Sequence, residues 1–186
     1  YRNSKNVLKN FDKNDDLYYW YKIKIKKQII LKELGQEQAY NFIKSKFEKI
    51  KKPSIKILFD MANIMKGFKK HQIAINYYNE VISKINLNSD SYAEILFRRG
   101  GSYERLKKFE KSDEDLLKSL EINPNDAYVL NYLAYSWLER NYKIDTAIKM
   151  LQRAYKKEDN DPFIIDSIGW GYYLVNDLIK AEYFLK

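Results

Sequence analysis

The chain has no cysteine and a single histidine, His71. Thiol nucleophiles, disulfides, thiolate metal sites and any site built from two imidazoles are excluded, so most enzyme chemistries lack their usual parts. Glycine and proline are scarce as well, six and three in 186 residues. That is too few turn-formers for a sandwich or barrel that reverses direction about every ten residues. No run approaches the ~20 apolar residues needed to cross a bilayer, and the most apolar stretch, Phe163 to Val175, is broken by Asp166. The chain is 45% hydrophobic and 32% charged, which excludes generic disorder and leaves an all-α chain as the expectation.

The net charge of +9 is not spread evenly. Residues 1 to 56 hold 15 cationic and 6 anionic side chains, whereas residues 57 to 186 hold 19 of each. A basic segment of this kind raises encounter rates with nucleic acid, anionic lipid or an acidic protein without choosing among them. Lysine supplies 28 of the 34 cations, and Lys, Ile, Asn and Tyr are all abundant. An AT-rich genome gives that composition with no selection for binding, so solvation is the simpler reading of the charge. The sequence opens on Tyr1 and closes on Lys186 within a helical pattern. It is therefore expected to be a piece of a longer protein, with any signal peptide or lipid-bearing cysteine outside it.

Self-comparison finds a repeat at a spacing of 34 to 38 residues. Counted from Pro162, Ile165, Ile168, Gly169, Tyr172, Ala181 and Leu185 fall at positions 4, 7, 8, 11, 20 and 24. Counted from Ala127, Leu130, Leu133, Ala134 and Trp137 occupy the first four of these; after one inserted residue, Ala147, Leu151 and Ala154 occupy 20, 24 and 27. From Ala93 the set is Leu96, Gly100, Tyr103, Ser112, Leu116 and Ser119, with Pro124 at position 32. From Ile55 it is Leu58, Met61, Ala62, Met65, Ala74, Tyr78 and Val81. Positions 4, 7, 8 and 11 are one face of a first helix, and 20, 24 and 27 are one face of a second. Small residues at 8, 20 and 27 let two helix axes approach; bulky ones at 4, 7, 11 and 24 fill the seam. The joints agree: Asn123 to Asp126 and Asp159 to Pro162 are turns, Ser54 and one of Ser89, Asp90 or Ser91 are caps, and Pro162 suits a first helical position. Upstream, Trp20 to Pro53 sketches a degenerate fifth hairpin. Lys22 to Lys26 alternates with period two, but a lone strand between helices has no partner, so helix is expected there. Residues 1 to 11 are expected to finish an earlier helix, with a turn at Asp12 to Asp16.

This pattern resembles the tetratricopeptide repeat, whose helical hairpins stack into a right-handed superhelical solenoid. The resemblance divides the chain into 1–54, a basic helical segment with one degenerate repeat, and 55–186, four repeats of which the last is truncated. Two departures stand out: Arg99 occupies position 7 of its copy, where a large apolar residue is usual, and the first of the four copies lacks the closing proline. Leu130 to Ser136, Asp145 to Ala154, Pro162 and Asp166 to Tyr173 look like the repeats of proteobacterial proteins near the outer membrane, some of them lipoproteins. A periplasmic or outer-membrane-associated location is what that likeness implies; a cytoplasmic one is the alternative.

No catalytic, metal or cofactor residue is assigned. His71 falls in a turn beside Lys69 and Lys70 with no acid or nucleophile placed by spacing. Glu110, Asp113, Glu114 and Asp115 lack the glycine spacing of a calcium loop and read as a solvated outer face. In the resembled family, positions 2, 5, 9 and 12 of the first helices line a concave groove. From those rows the candidate partner-binding residues are Phe59, Asn63, Phe97, Tyr128, Asn131, Tyr135, Phe163, Asp166, Trp170 and Tyr173. Glu94, Gly101, Glu104 and Leu138 stand in the same rows. The clamp with which some family members hold a carboxy-terminal carboxylate is not formed, because Asp60 and Glu94 stand where it needs other groups. The expected function is a non-enzymatic scaffold or adaptor that takes a peptide or partner helix in the groove. The alternatives are charge-driven binding of nucleic acid or anionic membrane through the lysine-rich segment, and self-association through the solenoid ends.

Overall fold

The computed structural model describes residues 15–87 and 89–186. The expectations for residues 1 to 11 and for the turn from Asp12 lie outside those residues, except that Asp15 is a helix cap. The described chain is all helical, ten helices joined by short turns: α1 (Asp16–Leu34), α2 (Gln36–Phe47), α3 (Ile55–Gly67), α4 (His71–Ile82), α5 (Asp90–Arg105), α6 (Phe109–Ile122), α7 (Ala127–Glu139), α8 (Ile144–Lys157), α9 (Pro162–Leu174) and α10 (Leu178–Leu185). Each odd helix packs antiparallel on the even one that follows it. Two compact units result, the first ending at Lys84 and the second beginning at Ile85.

Polar side chains set the starts of the first helices. Asp15, Ser54, Ser89, Asp126 and Asp161 each accept a bond from a backbone N–H in the first turn, at 2.8 to 3.4 Å. Such caps satisfy donors that the helix cannot. Of the three candidates at the third repeat, Ser89 is the cap. Three second helices begin differently, since Lys70, Lys108 and Lys143 give no side-chain cap, whereas Asp177 before α10 accepts from Lys180 N. The turn before each is closed from the other side, by backbone bonds Lys70 N to Met65 O, Lys108 N to Tyr103 O, Tyr142 N to Trp137 O and Asp177 N to Tyr172 O, 2.8 to 3.0 Å. This six-residue closure needs one left-handed residue, and Lys69, Lys107 and Asn176 supply it, with φ of 57 to 61°. Between α7 and α8 two residues are left-handed, Asn141 and Lys143. The inserted residue of that repeat is absorbed in this turn, which leaves both helices in register.

Within each hairpin the small positions are buried where the helices meet. Ala62, Ala74, Ala134, Ser112 and Ala147 have no exposed surface. A Cβ on Gly100 would sit 3.1 Å from Leu116 Cγ and 3.3 Å from Asp115 Cβ; one on Gly169 would sit 2.7 Å from Leu185. The bulky positions fill the space beside them, with Leu58, Met61, Leu96, Leu116, Leu130, Leu133, Leu151 and Ile168 at most 1% exposed. In the first unit the degenerate hairpin packs as a true one. Trp20 is fully buried, edge-on to Phe47 at 5.9 Å, and its indole N–H donates to Asp60 of α3. The stretch Lys22 to Lys26 is helical.

The acidic cluster on α6 is not a uniformly solvated face. Asp115 is 5% exposed and receives two bonds from Arg99 of α5, Nε to Oδ2 at 2.8 Å and Nη2 to Oδ1 at 2.6 Å. Asp113 is half-buried and accepts from Arg140, the C-cap of α7, at 2.7 Å. Only Glu110 and Glu114 are exposed. Arg99, the polar residue in an apolar slot, is thereby explained: a forked guanidinium–carboxylate pair takes the place of one core contact in the α5–α6 seam.

Candidate first-helix docking face

In the second unit α5, α7 and α9 are the successive first helices, and α7 packs on α9. Caps at Asp126 and Asp161 fix where α7 and α9 start and hence which residues share a face. Residues spaced three or four apart then recur on it. On α7 these are Tyr128, Asn131 and Tyr135; on α9 they are Phe163, Asp166, Trp170 and Tyr173.

Large apolar side chains lie open on this face. Tyr128 is 55% exposed, Tyr135 40%, Phe163 76% and Tyr173 53%. Asp166 is exposed between them. Trp170 is half-buried, packed against the core on one side, and stacks on Tyr173 at 5.4 Å with 17° between the rings. One ring of that pair is anchored and the other projects. Asn131 and Trp170 each hold a buried polar atom, Oδ1 and Nε1, that no protein group satisfies. Burial first, then the carboxylates of Glu139 and Asp166, pushes the Tyr135 hydroxyl above its ordinary range. The face therefore combines flat aromatic surface with a negative potential.

Toward α5 the face changes character. Phe97 is half-buried and meets Tyr132 edge-on at 5.7 Å. The Tyr132 hydroxyl donates to Glu104 Oε2 at 3.2 Å, and burial with the Glu104 charge raises its pKa to about 12. Glu94 is held by Arg98 at 2.7 Å. Gly101 and Leu138, which share the register of the groove positions, are buried. A Cβ on Gly171 would lie 3.3 Å from Leu138 Cδ1, so Leu138 fills the seam between α7 and α9.

In the first unit the matching residues are engaged internally. Phe59 is half-buried and tilted against Tyr78 at 6.2 Å, and Asn63 accepts from the Tyr78 hydroxyl at 2.8 Å. A cleft of mixed polarity, about 310 Å³, lies between α1 and α3, lined by Lys24, Lys27, Gln28, Asp60, Asn63 and Phe68 among others. Burial alone would raise the Asp60 carboxyl, but Lys24 at 2.7 Å and Lys56 at 3.2 Å outweigh it and hold it below the usual carboxylate range. Burial, then the neighbouring Lys24, pulls Lys27 below the ordinary lysine value. Of the ten candidate residues, then, Tyr128, Tyr135, Phe163, Asp166 and Tyr173 are open, Asn131 and Trp170 support them, and Phe59, Asn63 and Phe97 are partly taken up by neighbours.

Comparison with known proteins agrees with this architecture. Residues 93–126 match the family model described as tetratricopeptide repeat, the same 34 residues that the internal register assigns to the copy starting at Ala93. A TPR repeat-containing protein of Pseudomonas aeruginosa is 29% identical over 92 residues, which cover 50% of this chain and 16% of the relative. The chain thus spans about a sixth of the length of that curated relative. Among solved structures, BtubC (BKLC) from P. vanneervenii is similar with a TM-score of 0.73 at 18% identity, covering 98% of this chain and 84% of the other. MamA 41-end from Desulfovibrio magneticus RS-1 gives 0.66 at 16%, covering 89% and 90%. At such identities what is shared is the fold. Tetratricopeptide-type helical repeats generally mediate protein–protein interaction and are generally non-catalytic. Residues 93–126 thus match a tetratricopeptide repeat, and the chain as a whole shares the helical-hairpin fold of tetratricopeptide-repeat solenoids.

Proposed function

We propose that the chain is a non-enzymatic adaptor whose second unit docks a peptide or a helix of another protein on the face of α7 and α9. The observation that carries this reading is the set of open aromatics on adjacent first helices, Tyr128 and Tyr135 with Phe163 and Tyr173. Rigid aromatic side chains bury much area and lose little rotamer freedom on binding, which makes them efficient anchors. Trp170 backs them from the core, so the surface is preorganised and does not have to assemble on contact. The carboxylates of Asp166 and Glu139 beside Tyr135 favour a partner with a cationic side chain near its anchor. A periplasmic or outer-membrane-associated site of action, which the likeness to envelope proteins suggests, is part of the proposal and is tested by cell fractionation.

The test replaces Tyr135, Phe163 and Tyr173 together by alanine, sparing the half-buried Trp170. Helical circular dichroism and the melting transition should stay within the scatter of the parent, because none of the three is a core residue. Capture of the physiological partner by the full-length protein should fall by about a hundredfold or more, as expected for the loss of two or three anchors worth about 1–2 kcal/mol each. Unchanged capture defeats the reading.

A further inference from the structure

The first unit offers a second surface of a different kind. The α1 helix is apolar on more than one side. Trp20, Lys24, Lys27 and Leu31 face α3 across the cleft described above. A separate stripe, Lys22, Ile25, Lys26, Ile29 and Glu33, is spaced i, i+3, i+4, i+7, i+11 and borders an open apolar groove of about 620 Å³. The groove is walled by Ile23, Ile25, Ile29 and Ile30 of α1 and by Phe42 of α2. Ile25, Ile29, Ile30 and Phe42 are only half-buried.

Its rim is cationic. Lys22, Lys26 and Lys46 border it against a single carboxylate, Glu33. The ammonium groups of Lys26 and Lys46 both lie over the Phe42 ring, 5.7 and 5.8 Å from its centroid, and Lys22 lies over Tyr18 at 5.3 Å. Among the described residues none of the three forms a salt bridge, in contrast to Lys24 and Lys56, which share Asp60. Half-buried isoleucines with unpaired ammoniums on both walls call for an occupant that is apolar along one stripe and anionic along its flanks. The chain's own first fourteen residues have the wrong sign for this: Arg2, Lys5, Lys9 and Lys13 stand against Asp12 alone.

The geometry points to this groove as a docking site for an acidic amphipathic helix of a partner protein, its apolar stripe on Ile25, Ile29 and Phe42 and its carboxylates on Lys22, Lys26 and Lys46. Helix-in-groove recognition uses apolar anchors at i, i+3, i+4 and i+7 of the bound helix, and those anchors would lie against Ile25, Ile29 and Phe42 here. The lysine rim adds on-rate and sign selection more than raw affinity.

Two fluorescein-labelled peptides of about 15 residues test it, long enough for four helical turns. Both carry leucine at i, i+3, i+4 and i+7; one is flanked by glutamate, the other by lysine. Anisotropy titrations with the full chain at near-physiological salt should show the glutamate peptide binding at least about tenfold more tightly. K22E/K26E/K46E should reverse that preference, and Ile29→Gln should weaken the glutamate peptide by about tenfold while leaving the circular dichroism unchanged. Equal affinity for both peptides overturns the proposal, as does a preference that survives the charge reversal. It is overturned as well if Lys22, Lys26 and Lys46 serve another occupant. That result would be sedimentation with phosphatidylserine vesicles, or lysine-dependent dimerisation in the ultracentrifuge, with no peptide binding.

Discussion

Asp115→Ala should cost about 3 kcal/mol or more of stability in urea denaturation, among the largest effects of any single polar substitution in the chain. The reason lies with the partner left behind. Arg99 donates twice to Asp115, and its side chain is only 18% exposed. Burial works against the Arg99 charge while Asp115 holds it in place; burial likewise raises the Asp115 carboxyl against the pull of Arg99. Without the carboxylate, a guanidinium in the α5–α6 seam loses both charge-assisted bonds, and the Tyr103 ring at 5.8 Å does not replace them. Arg99→Met restores an apolar residue at a position that is apolar in the other copies. The double variant R99M/D115A should therefore recover a large part of the loss, giving a coupling of about 1–3 kcal/mol. Strict additivity would mean that the pair contributes nothing as a pair.

Trp20→Ala should cost about 3–5 kcal/mol, the range for emptying a large buried aromatic site. Trp20 is 0% exposed, packs edge-on against Phe47, and through Nε1 reaches the one buried carboxylate that joins α1 to α3. Trp20→Phe separates the two contributions. It keeps most of the ring volume and drops the hydrogen bond to a charged acceptor, so it should cost about 1.5–3 kcal/mol. If Trp20→Ala costs under about 1 kcal/mol, the first hairpin is not a structural repeat but a loosely attached helix pair.

The repeat register was legible because it rests on side-chain size at fixed spacing, which survives divergence of everything else. Gly100, Ala62, Ala134 and Gly169 occupy one slot in four copies, and the structure buries each of them against the second helix of its own hairpin or its neighbour. The caps were legible too, since a serine or aspartate before an apolar run has few other local uses. The left-handed turn residues were not. Lys69 and Lys107 adopt a conformation that glycine or asparagine would advertise, and only the backbone closure to Met65 and Tyr103 shows why a lysine is there.

Charge was the least legible property. Asp113 and Asp115 sit in a run that looks solvated when read along one helix, yet their partners, Arg140 and Arg99, come from helices on either side of it. Spacing within a helix cannot reveal a cation 16 or 27 residues away. The one available sign was Arg99 itself, a charge in an apolar slot. The docking residues fell between these extremes. Helical register placed Tyr128, Tyr135, Phe163 and Tyr173 on one face, but the same register also selected Leu138 and Gly101, which the neighbouring helix buries. Exposure depends on what the next hairpin brings, and a single hairpin's pattern does not contain that.

In the proposed function, partners meet the chain on the α7–α9 aromatic face and not elsewhere on the second unit. Site-specific photo-crosslinking reads this directly, with a benzophenone side chain placed at Tyr135 on that face and, separately, at Leu117 on the second helix α6, which is comparably exposed at 41%. In the full-length protein in its own cells, irradiation should give a discrete adduct band from position 135 and none from position 117. Adducts from 117 alone, or the same adducts from both, would contradict the account.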